Sequence, residues 1–207
     1  MMRNTLWTFL GNSYPFPDDT PLPKDFERSM DVNITHPGHP ERWTRMSLLF
    51  NGHYWLEGNR LGMNSFRHQV QIDRHDKYFA ESLGVDTFII NSGLHDAWNR
   101  PTPQAFMDDF QFGWEYYMRK LGETRKGAVP KIVYRFSVTP PVHLDNYAKA
   151  TPMNPASLDM INLLEADYLE AWLSRQARVD LSFLDSYEIT WSWHFDGETN
   201  DGPHYGR

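Results

Sequence analysis

The 207-residue sequence predicts an α/β fold with a mostly parallel sheet. Short apolar segments alternate along the chain with longer segments whose apolar residues recur every three or four positions. This alternation is typical of parallel strands joined by crossover helices. The length suits a single domain, which we assign to residues 1–207. Aromatic residues make up 15% of the chain, which argues against disorder.

The N-terminal part contains two candidate strands separated by a proline-rich segment. Leu6–Leu10 is the first short apolar run, and Met46–Phe50, ended by Asn51 and Gly52, is the second; we expect both to lie in the parallel sheet. Between the two runs, residues 14–41 contain six prolines. Proline fixes φ and has no backbone N–H to donate, so we expect this segment to be mostly irregular and exposed.

The central part predicts a helix, a strand and a longer helix. Asp73 is a suitable N-cap for a helix that ends at Leu83, and Gly84 follows as a C-terminal stop. Val85–Asn91 is β-branched and nearly all apolar, which indicates a strand buried on both faces. Thr102 followed by Pro103 then predicts a helix start. The next helix should bury one amphipathic face, formed by Phe106, Phe110, Trp114, Tyr117 and Leu121.

The C-terminal part continues the alternation. Lys131–Val138 is a candidate strand, and a long loop rich in Pro, Asn and Thr covers residues 139–156. Asn154 or Ser157 can open the next helix, and Val179–Leu184 is the last candidate strand. On that helix we place Leu158, Ile161, Leu164, Tyr168 and Trp172 inward, and Asp159, Glu165, Asp167 and Glu170 on the wetter sides.

Composition excludes several classes of function. The chain has 20 Lys and Arg against 27 Asp and Glu, a net charge of -7, so it lacks the basic field that binds nucleic acid or an anionic membrane surface. It contains no cysteine, which excludes disulfides, thiolate zinc sites, iron–sulfur clusters and a cysteine nucleophile. No apolar run is long enough to span a membrane, and the first residues do not form a signal peptide. His36 and His39 are better explained as exposed loop residues than as metal ligands, so we expect no metal and no cofactor.

Two polar segments have the composition of a functional site. Asn91–Asp96 directly follows the strongest strand candidate, where loops of parallel sheets carry ligands. Within it, Gly93 permits close backbone approach and His95 can donate a hydrogen bond. In Asp201-Gly202-Pro203-His204, the carboxylate can fold back onto Nδ1 of the histidine and leave Nε2 as a general base. Both segments are also rich in ordinary turn residues, so simple turns are the alternative.

The two segments together resemble a known enzyme superfamily. Gly93-Leu94-His95-Asp96 after an apolar strand and Asp201-Gly202-Pro203-His204 near the end resemble the third and fifth sequence blocks of the SGNH/GDSL hydrolases. His95 stands where most of that superfamily has Asn, which is similar to the PC-esterase branch of polysaccharide O-acetyltransferases and related esterases. The resemblance covers roughly residues 43–207 and implies a three-layer α/β/α domain with a flavodoxin-like sheet.

The resemblance also implies an active site. Ser13, in the Gly-Asn-Ser turn after the first strand candidate, would be the nucleophile, although Asn12 stands where the family has Asp. His204 would be the base and Asp201 its orienting group. The oxyanion hole would be formed by Gly52, Gly93 and His95.

The activity implied by these residues is that of a serine-dependent O-acyl esterase or acyltransferase. Its substrate would be an acylated carbohydrate or a similar small ester, and the family's setting would be the secretory pathway. The family's last histidine usually precedes a helix, and this sequence ends at Arg207, so we expect a partial or degenerate member. The rival hypothesis is a non-catalytic domain of the same fold that binds a glycan or a protein partner.

Overall fold

The computed structural model describes residues 28–36, 39–50, 54–56, 59–81, 86–93, 96–97, 102–124, 130–137 and 154–191. The chain divides into two compact units. One comprises residues 1–52 together with residue 207, and the other comprises residues 53–206.

The N-terminal unit contains a long β-hairpin. Strand β1 (Arg28–His36) pairs antiparallel with β2 (His39–Phe50), in a register that places Arg28 opposite Phe50. Met46–Phe50 is therefore extended as predicted, but the prediction that it joins a parallel sheet is wrong. The Leu6–Leu10 strand lies outside the described residues.

The prediction of irregular structure over residues 14–41 is wrong for residues 28–36 and 39–41, which lie in strands. The nine residues of β1 contain no proline, and Val32 and Ile34 supply β-branched side chains that favour a strand. Pro37 falls between the two strands, and Pro40 is the second residue of β2. Proline is tolerated near a strand end, as at Pro40, because not every backbone donor is needed there.

The larger unit begins with a short antiparallel hairpin and a helical segment. The hairpin is formed by β3 (Tyr54–Leu56) and β4 (Asn59–Leu61), which the sequence did not predict. A 3-10 helix (Met63–Arg67) follows and leads directly into helix α1 (Gln69–Glu81).

Helix α1 begins four residues before the predicted cap. The N–H groups of Gln71 and Ile72 both donate to the carbonyl of His68, so the preceding 3-10 helix supplies the start. Asp73 therefore lies inside the helix, where its carboxylate accepts a hydrogen bond from the Gln69 side chain at 3.0 Å. The predicted end at Leu83 lies outside the described residues.

Among the described residues of this unit, Thr87–Ile90 (β5), Lys131–Arg135 (β6) and Leu181–Leu184 (β7) form a parallel sheet in the order β5-β6-β7. This arrangement confirms the predicted α/β class and is consistent with a three-layer α/β/α fold. Among the described residues, no helix has both the length and the apolar character to cross a membrane. The elements are β5 (Thr87–Ile90), α2 (Pro103–Thr124), β6 (Lys131–Arg135), α3 (Pro155–Leu173), β7 (Leu181–Leu184) and the short helix α4 (Ser186–Trp191).

Side-chain caps start both crossover helices. Thr102 Oγ1 accepts a hydrogen bond from the N–H of Ala105 at 3.2 Å, which confirms the predicted start of α2. Asn154 Oδ1 accepts from the N–H of Ser157 at 2.9 Å, so Asn154 is the N-cap of α3. In each helix a proline occupies the first turn, where its missing N–H would have no partner anyway.

The predicted apolar face of α2 packs against the sheet. Phe110 and Trp114 are fully buried, and each makes an edge contact with Tyr134 of β6. Helix α3 joins the same layer through Trp172, whose ring lies 5.4 Å from that of Trp114. On the opposite face of the sheet, the Ile89 side chain of β5 is 52% exposed.

Replacing Phe110 by Ala should lower the free energy of unfolding by about 3–5 kcal/mol, because it leaves a cavity between α2 and the sheet. The matched control is Phe112→Ala on the same helix, where the ring is exposed and its described partner is the Arg67 guanidinium. That change should cost about 1 kcal/mol or less. Urea unfolding followed by tryptophan fluorescence measures both, and equal losses would contradict the packing.

Candidate functional site

The candidate site lies at the carboxyl ends of β5 and β6. We call residues 91–97 the β5 loop; residues 94 and 95 lie outside the described part of the chain. Ser137 lies just after β6. From helix α3, Asn162 faces Ser137 and Glu165 faces the β5 loop. In open parallel sheets, ligands bind at this edge.

Gly93 sits in a conformation that only glycine adopts readily. Its φ is +101°, and an added Cβ would lie 2.6 Å from Ser137 Oγ. The N–H of Gly93 donates to Asp96 Oδ2 at 3.1 Å, and the other oxygen of that carboxylate accepts from the N–H of Met63 at 2.9 Å. The buried Asp96 therefore ties the β5 loop to the 3-10 helix.

The hydroxyl group of Ser92 points toward the helical layer. Its Oγ donates to Glu165 Oε1 at 2.6 Å and lies 2.7 Å from the hydroxyl of Tyr134. Both of these partners are fully buried. The carbonyl of Ser92 accepts a further hydrogen bond from Ser137 Oγ at 2.6 Å. Ser92 thus connects its own loop to β6 and to α3.

Two asparagines fix the backbone around this cluster. Asn162 Oδ1 accepts from the N–H of Ser137 at 3.0 Å, and its Nδ2 donates to the carbonyl of the same residue at 3.2 Å. Asn91 Nδ2 donates to the carbonyl of Arg135 at 2.8 Å, which joins the ends of β5 and β6. The site edge is therefore held by side-chain bonds as well as by the sheet.

Glu165 is the buried ionisable group at the centre of the cluster. Burial is the main cause that raises its pKa to about 8, and the Asp96 carboxylate raises it further. Hydrogen bonds from Ser92 and Tyr134 act in the opposite direction. Its Oε2 atom has no hydrogen-bond partner among the described residues. A carboxyl group so placed holds its proton at neutral pH.

The prediction that Glu165 lies on a wetter side of α3 is wrong. Five of the six buried positions of this helix are spaced four, three, four and three residues apart, Ile161 being the sixth, and Glu165 occupies one of the five. The sequence signal for a buried functional role of Asn162 and Glu165 was that each is a polar residue at a position within a largely apolar stripe of the helix. The hydroxyl groups that receive Glu165 come from β5 and β6, which no local sequence pattern reveals. The stripe consists of Leu158, Asn162, Glu165, Leu169 and Trp172.

Gly93 is the one predicted site residue within the described part of the chain, and it lies at the carboxyl end of β5 as the sequence indicated. Its N–H is already bonded to Asp96, so an oxyanion would have to share or replace that bond. The catalytic triad stays a prediction because none of its three residues is described. The other predicted residues, Ser13, Gly52, His95, Asp201 and His204, lie outside the described residues.

Comparison with known proteins gives no relative from which to transfer a role. No protein-family model, no curated protein and no solved structure matches this chain. The resemblance to SGNH hydrolases therefore depends on the residues of this sequence alone.

Gly93→Ala should destabilise the protein by at least about 1–3 kcal/mol, because it forces a side chain into a positive-φ position against Ser137. Gly122→Ala is the matched control, since a Cβ there meets nothing within 4 Å on the exposed side of α2. It should raise stability by up to about 1 kcal/mol through helix propensity. Thermal unfolding of both variants measures the difference, and a neutral Gly93→Ala would contradict the geometry.

The raised pKa of Glu165 predicts a loss of stability at higher pH. The native state holds the Glu165 proton more tightly than the unfolded state, in which the pKa of this glutamate is near 4.5. The stability that the proton contributes is therefore complete below about pH 4.5 and is lost as the pH rises to about 8. Within that window the free energy of unfolding should fall by about 1.4 kcal/mol per pH unit from this group.

Urea unfolding between pH 5 and pH 8 tests this slope. Glu165→Gln should remove the contribution of Glu165, measured as the difference from the natural sequence at each pH, whereas Glu170→Gln, at an exposed position of the same helix, should keep it. A slope that is unchanged in Glu165→Gln would show that other groups cause the pH dependence.

Proposed function

We propose that this protein is a serine-dependent O-acyl esterase or acyltransferase acting on an acylated carbohydrate or a similar ester. The observation that carries the proposal is the β5 loop, because a positive-φ glycine is fixed there, with its N–H bonded to Asp96, at the sheet edge that carries ligands in parallel folds. The same loop carries the residues that resemble the third SGNH block.

In this proposal Ser13 attacks the acyl carbon while His204 accepts the hydroxyl proton. Asp201 orients the imidazole and stabilises its charged form. The negative charge on the former carbonyl oxygen is received by donors from Gly52, Gly93 and His95, the last two of which belong to the β5 loop.

The same imidazole returns the proton to the departing alcohol. The acyl group then passes from the serine to water or to a sugar hydroxyl, which distinguishes an esterase from an acyltransferase.

Ser92 is a less suitable nucleophile than its position suggests. Its Oγ is bonded to Glu165 and contacts the Tyr134 hydroxyl, both on the buried side of the sheet. The geometry favours a role for Ser92 in holding the loop.

The second candidate is a non-catalytic domain that binds a glycan or a protein partner. It is favoured by the bond from the Gly93 N–H to Asp96, which occupies a donor that the reaction would use. Asn12, in place of the family's Asp, favours the same reading.

An organophosphonate probe distinguishes the two candidates, because it bonds covalently to an activated serine. His204→Ala should lower both labelling and p-nitrophenyl acetate hydrolysis at least about a hundredfold, the scale of a lost general base. Asp201→Asn should impair both by disturbing the imidazole tautomer. Ser13→Ala should abolish labelling, whereas Ser92→Ala should retain it.

The matched control is His39→Ala, at an exposed histidine bonded to Glu41, which should leave the activity unchanged. Loss of labelling in Ser92→Ala with full labelling in Ser13→Ala would assign the nucleophile to Ser92. Absence of labelling and hydrolysis in the folded natural sequence would remove the enzyme proposal and leave the binding domain.

A further inference from the structure

Glu165 is a buried ionisable group to which the proposed reaction gives no task. Its side chain is fully buried on α3, yet it contacts the β5 loop. Ser92 Oγ donates to its Oε1 at 2.6 Å, and an added Cβ on Gly93 would lie 3.4 Å from the same atom. The carboxyl group therefore packs directly against Ser92 and Gly93 of the loop.

The surroundings of Glu165 favour its neutral form. The groups that face it are the Ser92 hydroxyl and the Asp96 carboxylate from the β5 loop and the Tyr134 hydroxyl from β6. None of them is a cation, and Oε2 has no hydrogen-bond partner among the described residues. A buried carboxylate without a cation is costly, so burial raises the pKa of this group to about 8.

Ionisation of Glu165 would place a second negative charge beside Asp96. The Asp96 carboxylate is the group that accepts from the N–H groups of Gly93 and Met63. Repulsion between two buried carboxylates therefore acts on the bonds that fix the loop, and it is weakly screened because both groups are buried.

We propose that Glu165 is a positioning residue: its protonated carboxyl group, bonded to Ser92 and packed against Gly93, holds the β5 loop in place, and loss of that proton loosens the loop. Its effect on ester hydrolysis rests on the proposed function, whereas its effect on the loop does not. If Glu165 served only as a structural contact, it would stabilise the fold, but the position of the β5 loop would not change when the Glu165 proton is lost.

Selective labelling isolates the loop in the intact protein. Gly93 is the one glycine in the sequence that follows a serine, so ¹³C-carbonyl serine combined with ¹⁵N-glycine yields a single amide signal. In the natural sequence this signal should move through a transition centred near pH 8. It should stay fixed over that range in Glu165→Gln and move as in the natural sequence in Glu170→Gln.

A second measurement does not depend on the folding of any variant. With ¹³C-labelled glutamate carboxyl groups, the natural sequence should show one carboxyl signal that titrates near pH 8, with the same midpoint as the Gly93 amide. The proposal is overturned if every glutamate carboxyl titrates below about pH 6, the range of ordinary glutamates. It is equally overturned if the Gly93 signal moves identically in Glu165→Gln.

Activity measurements separate this proposal from the proposed function. If the protein hydrolyses esters, its rate should fall about tenfold by one pH unit above the transition, as the protonated fraction falls to about one-tenth. Glu165→Gln should keep its rate at that pH, and a parallel fall in the variant would overturn the link to catalysis. If no ester is hydrolysed at any pH but the Gly93 signal titrates as expected, the proposed function fails and the positioning role stands.

Discussion

The hydrogen bond between Ser92 Oγ and Glu165 Oε1 joins the parts of the larger unit that must stay aligned at the sheet edge. Ser92 lies in the β5 loop, Glu165 lies in the middle of α3, and the Tyr134 hydroxyl adds β6 to the same cluster. Each of these polar groups would be costly to bury without the others. The β5 loop therefore holds a positive-φ glycine close to Ser137, and its neighbours are fixed by long-range bonds and not by the turn alone.

The sequence predicts this unit well wherever the deciding interaction is local. The cap at Thr102 and the apolar face of α2 depend on residues within a few turns of one another, and both agree with the structure. The order of β5, α2, β6, α3 and β7 follows from the same alternation. Predictions are wrong where a distant or preceding element decides the outcome, as in the start of α1, which follows from the 3-10 helix.

The candidate site illustrates the same division. Gly93 is recognisable because glycine after a strand is a local signal, and its position agrees with the structure. Glu165 is not recognisable in that way, because charge and helical position together suggest exposure. The hydroxyl groups that receive it belong to Ser92 and Tyr134. Ser92 lies 73 positions earlier in the chain and Tyr134 lies 31 positions earlier. Only the regular spacing of its apolar neighbours on α3 indicates that the position is inside.

The 3-10 helix extends this fixed edge toward α2. At its start, an added Cβ on Gly62 would lie 2.1 Å from Asp96 Oδ2, so close approach of the chain to that carboxylate requires glycine. At its end, Arg67 bonds to the Asp109 carboxylate of α2, and an added Cβ on Gly113 would lie 2.8 Å from the Phe66 ring. The 3-10 helix is thus closely packed against the β5 loop at one end and against α2 at the other. The Glu165 carboxyl group is bonded to Ser92 of the β5 loop, and the Asp96 carboxylate of the same loop is bonded to Met63 of the 3-10 helix, so the loop connects Glu165 to that helix.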